Sequence, residues 1–133
     1  MLSTGLPTID AQDDFRRARR SGRVARLLGA GSPRSLCAHA MLPAGRARLE
    51  VVPLTSIVGT IEPTPGFDAR FRPTTNLVRS RWERVALAHR TGKTLPPVSL
   101  VRRPEGHYVI DGRHRVSVAR ALKLDDIEAW VRA

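Results

Sequence analysis

Apolar residues at Phe15, Ala18, Gly22, Ala25 and Leu28 recur every three or four positions and predict one stripe along a helix. Asp10 or Asp13 can start that helix, and Gly29-Ala-Gly31 ends it near Leu28. Met1 to Ile9 has no periodicity and reads as a loose arm. Ser32-Pro33 fits a second helical start, carrying Leu36, Cys37, Ala40 and Met41. Leu49 to Ile57 predicts the first strand, with Pro53 implying an edge position or an irregular start. Val58 to Pro73, broken by prolines and glycines, reads as a loop too irregular to be a core element. Val78, Trp82, Val85, Ala86 and His89 return to helical spacing over Asn76–Arg90, with Trp82 as the core anchor. Thr91-Gly92 stops that helix, and Val98 to Arg102 and His107 to Ile110 form a hairpin around Pro104-Glu-Gly106. A last strand is expected over Ile127–Val131, with Trp130 packed inward.

Asp111-Gly112 interrupts the strand ending at Ile110, and from Arg113 the apolar spacing turns helical. Val118, Ala121 and Leu122 line one side of this helix, with Val116 and Ala119 beside them. Strand, tight turn and helix in that order suit an anion. The first N–H groups of a helix lack internal partners, and the helix dipole adds positive charge there. Gly112 allows close approach, and Arg113 and Arg115 can form forked, charge-assisted bonds. Asp111 makes sense as a metal ligand, a general base or a helix cap. On spacing alone, a capped and solvated first turn explains the same residues equally well.

Composition changes the picture through charge. The 133 residues support one domain with a modest core, at 41% hydrophobic content. No run of 18 apolar residues exists, so no membrane span is expected. The first ten residues lack the order of a signal peptide, and the single Cys37 cannot form an internal disulfide; a cytoplasmic address is expected. Net charge is +11, and Lys93 and Lys123 are the only lysines among 23 basic residues. A GC-rich genome accounts for the choice of arginine over lysine but not for the net charge, which points to a polyanionic partner. Arg16, Arg17, Arg19, Arg20, Arg23 and Arg26 fill most of the first helix outside its stripe. Such a helix can lie on nucleic acid, on an anionic membrane or on its own domain. Zinc-ligand spacing, a Walker-type glycine loop and a nucleophile elbow are all missing from the sequence.

The turn Asp111-Gly-Arg-His-Arg115, followed by a small-residue helix, resembles the signature turn of the ParB/sulfiredoxin superfamily. Val51-Val-Pro-Leu-Thr-Ser-Ile57 resembles the opening strand of ParB N-terminal domains, and Trp82 to Val98 their helix and returning strand. The likeness covers about residues 50–132, and is greatest to small bacterial ParB-like proteins with a basic N-terminal helix. It departs from the family in two places. Sulfiredoxins carry the catalytic Cys where this chain has Arg113, so their chemistry is not expected. Partition proteins read Gly-Glu-Arg-Arg where this chain reads Gly-Arg-His-Arg, and with the chain stopping at Ala133 no downstream helix-turn-helix is expected.

The resemblance implies an α+β fold, a small mixed sheet with packed helices over residues 49–133, preceded by a basic helical extension over 1–48. It implies a nucleotide-binding domain in which Gly112, Arg113, His114 and Arg115 hold phosphates. Arg70 and Arg72 are expected to join them from the preceding loop. The ligand is then a nucleoside triphosphate, CTP or ATP, with Mg²⁺ as its companion ion. Arg16, Arg17, Arg19, Arg20 and Arg23 are the residues expected on DNA, and a second copy of the chain is a further expected partner. The alternative is an enzyme on the same fold: a phosphotransferase, nucleotide hydrolase or nuclease. Asp111 and Glu62 would then act as base or hold Mg²⁺, and His114 would stabilise the transferring phosphoryl group.

Overall fold

A computed structural model of the chain describes residues 3–36 and 45–133. The described elements, in order, are helix α1 (Pro7–Leu27), strands β1 (Arg34–Ser35), β2 (Arg48–Pro53) and β3 (Ile57–Thr60), and helix α2 (Arg79–Arg90). Strands β4 (Val98–Arg103) and β5 (Gly106–Asp111), helix α3 (Arg113–Ala121) and strand β6 (Asp126–Arg132) follow. They form an α+β fold around one six-stranded mixed sheet ordered β1-β3-β5-β4-β6-β2. The β4–β5 hairpin lies at its centre, antiparallel, with β3 parallel to β5 and β6 parallel to β4.

The expected strand Leu49–Ile57 divides in two. Pro53 ends β2, a 3-10 turn over Leu54–Ser56 redirects the chain, and β3 begins at Ile57 on the other side of the hairpin. β2 does lie at the sheet edge, antiparallel to β6, where the proline's missing N–H removes no inner ladder bond. The helical start expected at Ser32-Pro33 is not formed. Arg34–Ser35 instead runs parallel to Gly59–Thr60, and Leu36 N–H donates to the Thr60 carbonyl at 3.0 Å. Cys37, Ala40 and Met41 lie outside the described residues.

One face of the sheet buries Val52, Leu100, Val109, Ala129 and Val131 against Val116 and Ala119 of α3. Trp130 does not pack inward. Side chains alternate along a strand, and with Ala129 and Val131 buried the indole stands on the outer face, 44% exposed and opposite Leu49. A second cluster joins the three helices: Ala11, Phe15 and Ala18 of α1, Trp82 and Ala86 of α2, and Val118 of α3. α1 starts at Pro7, earlier than expected, because Pro suits the first helical turn. The buried Asp10 accepts bonds from Thr4 N–H and from the Ser3 and Thr4 hydroxyls, so these arm residues are anchored. The predicted stripe is buried only as far as Gly22; Leu28 is 83% exposed. On α3 the buried positions are Val116 to Ala119, and Ala121 is exposed.

Candidate functional site

The signature turn forms as strand, left-handed glycine and helix. Gly112 is the N-cap of α3 at φ 117°, with no side chain capping the helix. A Cβ at Gly112 would stand 2.5 Å from Val98 Cγ1, so the fold itself requires glycine here. Gly112→Ala is expected to cost about 1–3 kcal/mol from the forbidden φ and the clash. Chemical denaturation monitored by far-ultraviolet circular dichroism checks this.

The four side chains of the turn separate by role. Arg115 is committed to the fold: its guanidinium donates to the Pro96 and Pro97 carbonyls at 2.7 and 3.1 Å and to Asp111 at 3.2 Å. Asp111 itself is 79% exposed. His114 stands edge-on to Phe67, 5.3 Å between centroids, with its Nε2 buried and without a partner among the described residues. Burial, with Arg81 and Arg113 adding repulsion, pushes the His114 pKa down to about 4. The ring is therefore neutral at pH 7 and could assist a phosphoryl group only as a hydrogen-bond donor. Arg113 is exposed and makes no hydrogen bond or ion pair among the described residues. The open N–H groups of the first α3 turn and Arg113 are what this end of the helix offers an anion.

Arg70 and Arg72 do not gather with this turn. They line a cavity at the opposite end of α3, together with Arg120 and Lys123, and with Asp14 and Arg17 of α1. The turn over 68–72 sends them there. Asp68, buried, accepts N–H bonds from Arg70 and Arg72 and the Nε–H of Arg72 at 2.7 Å. Glu62 is exposed on the loop after β3 and is absent from this lining. Among the described residues no three His, Cys, Asp or Glu side chains converge as a metal site.

The arginines of α1 also divide. Arg16, Arg19, Arg20 and Arg23 line a shallow groove with Asn76 and Arg79, beside Phe15. Arg17 faces the other way, paired with Asp14 at 2.6 Å on the cavity side. Acidic groups offset the groove only in part. Arg16 pairs with Asp13 at 3.1 Å and Arg79 with Glu83 at 2.7 Å, while Arg19 holds a buried Nε without a partner among the described residues. Burial, then Arg23 and Arg26, lowers the hold of Arg19 on its proton. The charge density follows from five guanidiniums sharing one groove.

Sequence reasoning missed Arg79, Arg120, Lys123 and Asp68. Arg79 lies within the expected helix but off its apolar stripe, and Arg120 belongs to no motif; the fold alone brings Arg120 to the Leu54 and Ile57 carbonyls, at 2.8 and 3.0 Å. Lys123 left one signal, standing just past a helix end where Gly or Asn is usual.

No helix among the described residues is long and apolar enough to cross a membrane. No protein-family model matches the chain, and no curated protein matches it. Among solved structures it is similar to sulfiredoxin from Arabidopsis thaliana, at 19% identity and a TM-score of 0.42 over 64% of this chain and 84% of that one. A likeness of that degree carries nothing about ligand or reaction.

Proposed function

We propose that this chain is a binding module for phosphate-bearing partners: a nucleoside triphosphate at the Gly112–Arg115 turn, and DNA along α1. The observation that carries the proposal is the groove of Arg16, Arg19, Arg20, Arg23 and Arg79, where five guanidiniums meet two carboxylate partners. Helix rise brings successive turns of arginines about 5 Å apart along one face, a spacing suited to following a sugar-phosphate backbone. At the turn, the uncapped α3 N-terminus and Arg113 support phosphate contact, and Arg115 acts by bracing the turn to Pro96 and Pro97.

Duplex DNA binding, followed by fluorescence anisotropy across a salt series, tests the larger claim. Affinity is expected to fall linearly on logarithmic axes, with a slope of about −0.9 for each phosphate neutralised. Replacing Arg16, Arg19, Arg20 and Arg23 with Gln should flatten that slope, whereas Arg17→Gln should leave it nearly unchanged. Binding indifferent to salt would overturn the DNA reading. For the turn, calorimetric titration with ATP and CTP, with and without Mg²⁺, should show binding weakened by about tenfold in Arg113→Ala. Phosphate release that needs Mg²⁺ and is lost in Asp111→Asn would move the protein to the enzyme alternative.

A further inference from the structure

We propose that the cavity between α1, the 54–55 turn, the 70–73 segment and the C-terminal end of α3 binds a small molecule carrying two or more phosphate groups on an apolar body. This goes beyond the reading of the Gly112–Arg115 turn and does not depend on it, since the two places lie at opposite ends of α3. The cavity has a volume of about 780 Å³, in the range of small-molecule sites.

Charge is the first argument. Arg17, Arg70, Arg72, Arg120 and Lys123 line the cavity against one lining carboxylate, Asp14. Arg17 is paired to Asp14 and Arg72 to Asp68. Arg70 and Lys123 have no hydrogen bond or ion pair from their side chains among the described residues. Arg120 donates from Nη2 to two carbonyls, but its buried Nε–H has no acceptor among the described residues. Burial, followed by repulsion from Arg70, loosens the Arg120 proton, partly countered by Asp68. A cluster of like charges with an orphaned donor is unfavourable by itself and is relieved by an anion. Complementing the α3 dipole would account for cations from α3 and its cap, Arg120 and Lys123. It gives no reason for Arg17, Arg70 and Arg72 to arrive from two other segments.

Backbone strain is the second, independent argument. Two non-glycine residues have positive φ among the described residues, Phe71 at 61° and Lys123 at 58°, and both line this cavity. Left-handed backbone is costly for an aromatic residue and persists where neighbouring bonds over-determine it. Asp68 does so for Phe71, through the two N–H bonds on either side of it and the Phe71 N–H bond to its own carbonyl at 2.8 Å. The outcome is a fully buried Phe71 under the guanidinium of Arg120, at 5.8 Å, with Arg70 and Arg72 both turned to the cavity. For Lys123, bonds from Lys123 N–H to Arg120 and from Leu124 N–H to Ala119 close the helix end. Glycine would serve that cap with less strain; lysine there adds a cation. Ala121, Leu122 and Leu124, which keep exposed surface, supply the apolar wall.

A ¹H–¹⁵N NMR titration of the full chain with inorganic pyrophosphate, then with ADP, tests the proposal. Saturable shifts are expected at the Ser21, Thr55 and Leu124 amides and at Arg120 Nε–H. The paired substitution Arg70→Gln and Lys123→Gln removes two side chains that make no hydrogen bond or ion pair among the described residues, and is expected to weaken binding by about tenfold or more. Arg113→Ala should leave these shifts within about twofold in apparent Kd, which separates the cavity from the turn. The proposal is overturned if the cavity amides do not move up to about 10 mM ligand, a Kd too weak to matter. It is equally overturned if the paired substitution changes nothing, or if Arg113→Ala abolishes the shifts. ADP binding no more tightly than pyrophosphate would overturn the apolar half of the assignment.

Discussion

Trp82→Ala is expected to remove about 3–5 kcal/mol of stability, the usual cost of emptying a large aromatic site. Against a total of about 5–15 kcal/mol for a domain, that is enough to leave the chain marginal. The reason lies in what the indole joins. Trp82 is fully buried on α2, meets Phe15 of α1 edge-on at 5.5 Å, and donates from Nε1 to Ser117 Oγ of α3 at 2.8 Å. One side chain thus touches all three helices, and its loss also leaves a buried hydroxyl without its donor. Trp82→Phe keeps most of the packing and should cost about 1–2 kcal/mol, chiefly through the lost bond. Guanidinium unfolding followed by circular dichroism compares the three proteins. A loss below 1 kcal/mol in the alanine variant would show that the helical layer does not depend on this anchor.

The anchor itself was readable from helical spacing, as were α2, the β4–β5 hairpin and the strand–turn–helix at Asp111. Those segments are local: pattern and turn chemistry agree within a dozen residues. The run Leu49–Ile57 was not read correctly, although a signal was there. Val52 and Leu54 share one parity and Ile57 has the other, yet all three are buried, which a single strand facing one layer does not permit. Likewise, Ile127, Ala129 and Val131 form the apolar parity of β6, so Trp130 belongs to the outer set with Glu128. The size of the indole outweighed the alternation. β1 had no local signal at all. Two polar residues make an edge strand only because Gly59 leaves room: a Cβ there would meet the Arg34 carbonyl oxygen at 2.0 Å.

The candidate sites divide along the same line. Gly112 and Arg113 are next to each other in sequence, and their geometry followed from it. The family resemblance places Arg70 and Arg72 beside the turn, whereas the fold brings them to the other end of α3. Their direction is set by the Asp68 carboxylate and by Phe71 adopting a positive φ, which residue type does not announce. Arg17 was grouped with its helical neighbours, but a position three residues before Arg20 need not share its partner. Asp14, one turn earlier, draws Arg17 to the cavity side, while Arg16, Arg19, Arg20 and Arg23 face the groove.

Asp14 also carries the second large effect. Its carboxylate takes a fork from Arg90 of α2, Nε at 2.6 Å and Nη2 at 2.7 Å, and a third bond from Arg17. The Asp14 and Arg90 side chains are 2% and 6% exposed. Donation to the Asp14 carboxylate outweighs burial and raises the hold of Arg90 on its proton above the ordinary value, with Asp10 at 3.7 Å contributing. Breaking such a buried pair from one side costs about 3–5 kcal/mol, because the desolvated guanidinium loses its main compensation. Asp14→Ala is expected to show that loss, and Asp14→Asn a smaller one, since the amide oxygen still accepts a bond. Replacing both partners, as Asp14→Leu with Arg90→Met, should recover much of the deficit. The effect falls on the docking of α1, so limited proteolysis within Pro7–Leu27 should accelerate in Asp14→Ala and return toward wild type in the paired variant. An Asp14→Ala protein within 1 kcal/mol of wild type would mean that the apolar packing of Ala11, Phe15 and Ala18, with Asp10 beside Arg90, holds α1 without this carboxylate. Since α1 carries the groove arginines on one side and Arg17 on the other, this one carboxylate sets the orientation of both basic surfaces.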